Sequence, residues 1–230
     1  MTVASTRPGV LALLGGGEFE SPCNAIDTEL LAAAATTEVL VIAAAAAFED
    51  PAAVVAKATA YFAKLGATVR TLEVFNRREA NDDANVRVAK NAKFFYVTDG
   101  SPMHLRSVLK DTQLFDVILG AHRRGAALAA SGAGATVLCD PMIDSRGGAY
   151  TVGFGVLPNV ALFAHHTNES DHIWDRAVDL LPSDATLVGV PDHSAVVRDP
   201  DGSTRVIGTV TTCVAGSAPK VHRKGAITFR

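Results

Sequence analysis

Short, continuous apolar runs alternate along this chain with segments of helical periodicity, and this alternation constrains the fold more than any other feature. Residues 39–47 (VLVIAAAAA) and 93–98 (KFFYVT) are such runs, and a helical pattern follows each of them. Strands of a parallel sheet read as continuous apolar runs because helices cover both faces of the sheet. The sequence therefore predicts an α/β protein, a single domain over residues 1–230 with a mostly parallel central sheet and helices on both faces.

Turn and capping signals give the bounds of these elements. Pro51 suits a first helical turn and Gly66 follows the last helical residue, so a helix is predicted over 51–64. By the same reasoning we predict strands at 10–14, 39–47, 67–75, 93–98 and 126–130, and further helices ending near 88, 109, 124 and 139.

The pattern changes after residue 147, where shorter apolar segments are separated by Gly and Pro. Strands are predicted at 149–152 and 160–163, followed by an amphipathic helix over 171–181. The last part predicts a C-terminal β meander with strands at 186–190, 194–198, 205–209 and 226–229.

Composition limits the classes of partner. The chain has 48% hydrophobic residues, a formal net charge of −3 and three widely spaced cysteines. A nucleic-acid partner is not expected, because phosphate binding needs a basic surface. No apolar run reaches the roughly 18 residues of a membrane span, and no signal peptide is recognised, so we expect a cytoplasmic protein without a membrane partner. Neither a metal site nor a cofactor is indicated, and the apolar C-terminal strands are compatible with a homodimer.

The segment 128–135 (LAASGAGA) has the composition of a sharp turn between a strand and a helix. Such a nucleophile elbow projects its central residue above the sheet and offers backbone N–H groups to a developing oxyanion. Either Ser131 or Gly132 can be placed at its centre, and a packing turn without catalysis is a third interpretation. We expect any chemistry of the chain to be sited here.

Four motifs occur in an order that identifies a resemblance. They are LLGGGE at 13–18, FYVTDGSP at 95–102, ASGAGA at 130–135 and AHHTN at 164–168. Together they resemble the dipeptidase E and cyanophycinase family of serine peptidases over about residues 9–210. The resemblance implies a flavodoxin-like three-layer sandwich of the class I glutamine amidotransferase type. It also places Gly132 where the family has its serine nucleophile, with Ser131 one residue early.

The resemblance implies a set of site residues. His165 takes the position of the general base, while the N–H groups of Gly100 and Ala133 take that of the oxyanion donors. The orienting carboxylate is expected after the elbow helix, at Asp140 or Asp144. Asp99 stands where the family has a glycine, next to the predicted oxyanion site, and residues 15–17 are expected to form a tight turn along the cleft.

These assignments predict a homologue of serine peptidases that acts on small peptides or amides by acyl transfer to water. Because Gly132 carries no hydroxyl, we expect impaired catalysis, in either a degenerate member or an engineered Ser→Gly form. Two alternatives stay open: a non-catalytic ligand-binding or assembly module on the same scaffold, and an active hydrolase that uses Ser131.

Overall fold

A large sheet organises the protein, whose computed structural model describes residues 7–167 and 172–229. The strands, in chain order, are β1 (Leu11–Leu14), β2 (Glu38–Ile42), β3 (Thr68–Leu72), β4 (Phe94–Val97), β5 (Ala127–Ser131), β6 (Cys139–Asp140), β7 (Met142–Ile143), β8 (Tyr150–Thr151), β9 (Leu157–Pro158), β10 (Val160–Phe163), β11 (Thr186–Gly189), β12 (Ala195–Arg198), β13 (Thr204–Val214) and β14 (Lys220–Ile227). The helices are α1 (Asn24–Ala33), α2 (Pro51–Lys64), α3 (Asp83–Lys90), α4 (Pro102–Leu109), α5 (Gln113–Arg123), α6 (Ala133–Leu138) and α7 (His172–Asp179).

The strand order is β3-β2-β4-β5-β1-β12-β13-β11-β10-β6-β9, with β14 paired to β13 and with β7 and β8 as a separate hairpin. Strands β3, β2, β4, β5 and β1 are mutually parallel, as are β10 and β11. The predicted α/β architecture, with a mostly parallel sheet of flavodoxin-like type, is confirmed.

Helices cover both faces of the parallel block because its strands are apolar on both sides. Along β4, Phe94 and Tyr96 enter a core with α1 and α2, which contribute Leu30 and Phe62. Phe95 enters the opposite core, built with α3, α4, α5 and α6. These two cores give the three layers that the sequence predicts.

The long strand β13 brings two parts of the sheet together. Its first half pairs antiparallel with β12, at Thr204 to Ile207, and its second half pairs antiparallel with β11, at Thr211 to Val214. Since β12 also pairs antiparallel with β1, β1 and β11 run in opposite directions. Their carboxyl ends therefore meet near the middle of β13, and the loops that leave those ends lie side by side.

Several predicted bounds are wrong. The strand predicted over 39–47 ends at Ile42, and Ala44–Ala46 form a 3-10 turn instead. Helix α1 was not predicted, although Pro22, in the 3-10 turn that leads into it, is a helix start signal. The antiparallel pairing of β12, β13 and β14 is confirmed, but β13 continues to Val214 and β14 begins at Lys220, unlike the strands predicted at 205–209 and 226–229. Strand β11 also pairs in parallel with β10. The predicted helix start at Asp171 lies outside the described residues. None of the helices in the described ranges combines the length and the hydropathy of a membrane span.

Candidate functional site

The elbow turns at Gly132. Ser131 ends β5, Ala133 begins α6, and Gly132 between them has φ 51° and ψ −114°. A positive φ with this ψ is unfavourable for a residue that carries a Cβ, so glycine relieves strain at this point. The interpretation that places Gly132 at the centre of the elbow therefore fits the backbone.

The Asp99 carboxylate occupies the space above Gly132. Its Oδ1 accepts hydrogen bonds from the N–H groups of Gly100 and Ala133, each at 2.7 Å. A Cβ at position 132 would lie 2.0 Å from that Oδ1 and 2.1 Å from the Asp99 Cγ. The two predicted oxyanion donors thus converge on one point, and the oxygen they bind belongs to the protein itself.

His165 lies next to this carboxylate. It follows β10, has φ 53°, and its N–H donates to the Gly15 carbonyl at 2.9 Å. Its Nε2 is 2.8 Å from Asp99 Oδ2, and its Nδ1 is 2.8 Å from Asp192 Oδ1. Ionised carboxylates only accept hydrogen bonds, so both ring nitrogens carry a proton when both carboxylates are charged.

Charge and hydrogen bonding explain the proton affinities of this group. The hydrogen bond to Asp99, helped by the one to Asp192, raises the pKa of His165 to about 9 although burial opposes it. For Asp99, burial favours the neutral form, but hydrogen bonds from His165, Ala133 and Gly100 together lower its carboxyl pKa below the usual value. At neutral pH the centre of the site is an imidazolium held between carboxylates.

The glycine-rich turn after β1 lines this cleft, as predicted. A Cβ at Gly16, whose φ is +154°, would lie 2.3 Å from both Asp192 Oδ1 and His165 Cε1. The carbonyls of Gly15 and Gly16 accept the N–H groups of His165 and His193. Bare backbone here lets the histidine and its carboxylate approach the sheet.

Glu18 connects the two loops of the site. Its Oε1 accepts the Asp99 N–H at 3.0 Å, and its Oε2 accepts the Ser131 hydroxyl at 2.8 Å. Ser131 is fully buried and bonds to this carboxylate rather than to a histidine. The interpretation with Ser131 at the centre of the elbow is therefore not supported by the geometry.

The carboxylates predicted to orient His165 lie elsewhere. Asp140 accepts the Gly153 N–H at 2.9 Å, and Asp144 pairs with Arg146 at 2.7 Å. The prediction that Asp140 or Asp144 orients His165 is therefore wrong. The carboxylate at His165 Nδ1 is that of Asp192. The segment after α6 reaches the cavity through Ile143 and Ser145, but the carboxylates of Asp140 and Asp144 bind other partners. The loop between β11 and β12 instead carries Asp192 to the histidine.

Asp192 and Glu18 are the residues that sequence reasoning missed. Asp192 stands in the segment 190–194 (VPDHS), directly after β11. Because β11 is parallel to β10, the carboxyl ends of both strands lie at one edge of the sheet. A carboxylate that directly follows β11 is therefore a candidate partner for the histidine that follows β10. The other histidine of the 164–168 motif, His166, is buried and its ring lies 4.2 Å from that of Trp174.

A cavity of about 170 Å³ opens beside the histidine. Its walls are mainly apolar, with a few polar groups, and consist of Asp99, Gly100, Pro102, Ala133, Thr136, Ile143, Ser145, Leu162, Phe163, Ala164 and His165. Drug-sized ligands usually occupy roughly 300–1,000 Å³, so this cavity suits a small molecule. Within the described ranges no three His, Cys, Asp or Glu side chains are grouped to hold a metal ion.

Comparisons with known proteins concern the family and the fold. The model of peptidase family S51 matches residues 11–206. The fold is similar to that of a peptidase from an acI-B1 Actinobacterium, with a TM-score of 0.87, 25% sequence identity and 98% of each chain covered. It is also similar to a protein from Listeria monocytogenes EGD-e assigned as a peptidase E, with a TM-score of 0.64, 16% identity, and 94% of this chain and 98% of the other covered.

Proposed function

Because the chain belongs to peptidase family S51, we propose that it keeps the ligand cleft of a peptidase while lacking peptide hydrolysis through an elbow serine. The ligand is a small peptide or amide. The cytoplasmic location and the homodimer stay predictions.

The position of the Asp99 carboxylate carries this proposal. Serine peptidases form an acyl-enzyme through a hydroxyl and stabilise the resulting oxyanion with preorganised donors. Gly132 supplies no hydroxyl at the elbow, and the hydroxyl of Ser131 is buried against Glu18. The donors of Gly100 and Ala133 already bind an anionic oxygen of Asp99. Acyl transfer needs a free hydroxyl at the elbow and donors that are free to bind the substrate's oxyanion. This chain offers neither at the elbow.

The same contact bears on how Gly132 arose. A serine side chain at position 132 would begin 2.0 Å from Asp99 Oδ1, so the carboxylate has to move before a hydroxyl fits. Asp99 and Gly132 accommodate each other, which supports a degenerate member with paired replacements over a single engineered Ser→Gly change.

The decisive experiment restores both positions together. We expect Gly132→Ser with Asp99→Gly to react with a fluorophosphonate probe at residue 132 and to hydrolyse acidic dipeptides or related amides, and the unsubstituted protein to do neither. Mass spectrometry of the labelled peptide and a dipeptide assay measure this. Triad nucleophiles contribute about 10⁶-fold in well-studied serine proteases, so the expected gain is large.

Two matched variants control the test. Gly132→Ala with Asp99→Gly removes the same carboxylate but adds no hydroxyl, and it should stay unlabelled. Ser131→Ala in the otherwise unchanged chain tests the remaining hydroxyl. Peptide hydrolysis by the unsubstituted protein that disappears in Ser131→Ala would refute the proposal, as would a folded double variant that stays inert.

A further inference from the structure

We propose that Asp99 is itself a covalent nucleophile, and that the cleft hydrolyses small, neutral alkyl halides. This activity goes beyond the proposed function. It rests on the proposed function in one respect, which is that no elbow serine competes with Asp99 for the substrate.

The geometry separates the two oxygens of the carboxylate. Oδ1 is fixed by the N–H groups of Gly100 and Ala133, at 2.7 Å each. Oδ2 lies 2.8 Å from His165 Nε2, and His165 is bound in turn by Asp192. Asp99 lines the cavity, and 30% of its side chain is exposed. A nucleophile, a base and an orienting carboxylate thus stand in sequence, with donors beside the nucleophile's own carboxyl carbon.

The position of the donors favours an alkyl substrate over an acyl one. Attack on a peptide carbonyl would create an oxyanion on the substrate, but the available donors are bound to Asp99 Oδ1. Attack on a saturated carbon creates no oxyanion in the first step. The donors become useful only later, when the ester formed on Asp99 is hydrolysed, because Oδ1 is then the atom that becomes the oxyanion.

In the first step a lone pair of Asp99 Oδ2 forms a bond to the saturated carbon. The bond from that carbon to the halogen breaks, and the halide leaves with the electron pair. Asp99 becomes a neutral ester. His165 loses the negative charge that contributes most to its raised pKa, so it releases a proton to solvent and becomes a neutral base.

In the second step His165 Nε2 takes a proton from water, and the hydroxide attacks the Asp99 carboxyl carbon. The electron pair of the carbonyl bond moves to Oδ1, where Gly100 and Ala133 donate to it. When this intermediate collapses, the bond from the carboxyl carbon to Oδ2 breaks, His165 returns the proton to that oxygen and an alcohol leaves with it. Asp99 is left as a carboxylic acid and gives its proton to His165, which restores the carboxylate and the imidazolium. The net reaction consumes one water and yields alcohol, halide and a proton, and the water oxygen stays on Asp99.

The cavity selects the substrate class. Ile143, Leu162 and Phe163 form apolar walls around a volume of about 170 Å³. His165 is the one basic side chain among the described residues that line it, and it is already paired with two carboxylates. A short, uncharged alkyl chain fits this lining better than an acidic ligand, which two carboxylates would repel.

The test uses n-butyl bromide and the full chain. We expect the unsubstituted protein to release butanol, and a single turnover in water enriched in heavy oxygen to place the label in Asp99 rather than in the alcohol. His165→Gln should accumulate a butyl ester on Asp99, found by peptide mapping. Asp99→Asn should lower butanol release by at least about 10³-fold. Asp116→Asn, the same change at an exposed carboxylate of α5 outside the cavity lining, should leave release unaltered.

The outcomes are separable from those of the serine test. Butanol whose oxygen comes from water in the first turnover, or a butyl group on any residue other than Asp99, would overturn the proposal. So would a folded protein that yields neither butanol nor ester, even where the double variant gains serine reactivity. If His165→Gln does not fold, Asp192→Asn must slow ester hydrolysis more than ester formation.

Discussion

One carboxylate sets the electrostatics of the cleft. Asp99 binds two backbone N–H groups through one oxygen and an imidazole through the other. Its hydrogen bond is the largest cause of the raised pKa of His165, ahead of the contribution of Asp192. The protonation of His165 is therefore a direct report on whether Asp99 occupies this place.

We expect Asp99→Asn to lower the pKa of His165 from about 9 toward its ordinary value of about 6.5. The neutral amide keeps the size of the carboxylate but removes its charge, while Asp192 still holds Nδ1. NMR titration of the imidazole protons measures the shift. Asp116→Asn, at an exposed carboxylate of α5 outside the cavity lining, should leave the titration unchanged. A His165 pKa that stays near 9 in Asp99→Asn would show that the contact does not form in solution.

At this scale the sequence allowed part of the site to be predicted. His165, Gly100 and Ala133 were found because they stand in short motifs that a family resemblance places. Asp192 was not, since a lone carboxylate after a strand looks the same whether it faces solvent or a histidine. Glu18 stands in the LLGGGE motif, but that motif was interpreted only as a tight turn. Only the parallel pairing of β10 with β11 makes Asp192 a neighbour of His165.

The elbow is an element whose strain can be measured. Gly132 holds φ at 51° between β5 and α6, and the space above it is filled by Asp99. Strain and close contact are two separate costs of adding a Cβ there, and they respond differently to a change at position 99.

We expect Gly132→Ala to destabilise the fold by about 2–4 kcal/mol, of which the strained backbone at φ 51° and ψ −114° accounts for about 1–3 kcal/mol. In an Asp99→Gly background the same change should cost at least about 1 kcal/mol less, because the contact is gone. Urea unfolding of all four proteins gives this cycle.

Gly66→Ala is the matched control for the elbow cycle. Its φ is also positive, at +76°, but a Cβ there meets nothing within 4 Å. Its substitution should therefore show a backbone cost without a contact cost, and that cost should not depend on position 99. Costs at Gly132 that add to within about 0.5 kcal/mol in the two backgrounds would mean that Asp99 does not fill the elbow.

Helices with clear end signals, such as α2 and α5, were predictable as elements, and alanine-rich segments were not. Residues 43–47 are all alanine, which continues a strand or begins a helical turn with little difference in side-chain energy. Tertiary contacts decide, since the Ala45 carbonyl accepts the Ser101 N–H at the edge of the cleft. This hydrogen bond ties the 3-10 turn at Ala44–Ala46 to the loop that follows β4.

At the scale of the molecule, the cleft exists because β13 joins two oppositely directed parts of the sheet. The alternation of strands and helices predicts the parallel block, and turn residues predict the hairpins after it. Neither predicts that β11 pairs with the second half of β13 and β12 with the first. That pairing brings the loops after β1, β10 and β11 together, and local sequence carries little information on such long-range pairing.

A second carboxyl, buried under α1, makes its own contribution to how the stability of the fold depends on pH. Asp27 on α1 is fully buried and accepts the Tyr61 hydroxyl at 2.7 Å. Burial raises the pKa of its carboxyl to about 7, against the opposing effect of the Tyr61 hydrogen bond. In the unfolded chain the same carboxyl titrates near 3.9.

The folded state therefore holds the Asp27 proton over a range in which the unfolded state has lost it. The free energy of unfolding should fall as pH rises from about 4 to about 7, by up to about 4 kcal/mol from this group. Asp27→Asn removes this contribution, so its unfolding free energy should decline less over that interval, whatever its absolute value. Urea unfolding of both proteins at several pH values measures the difference, with Asp116→Asn as the exposed-carboxyl control. Parallel curves for the unsubstituted protein and Asp27→Asn would mean that the buried carboxyl is already ionised in the fold, held by a counter-charge or water inside the α1 and α2 core.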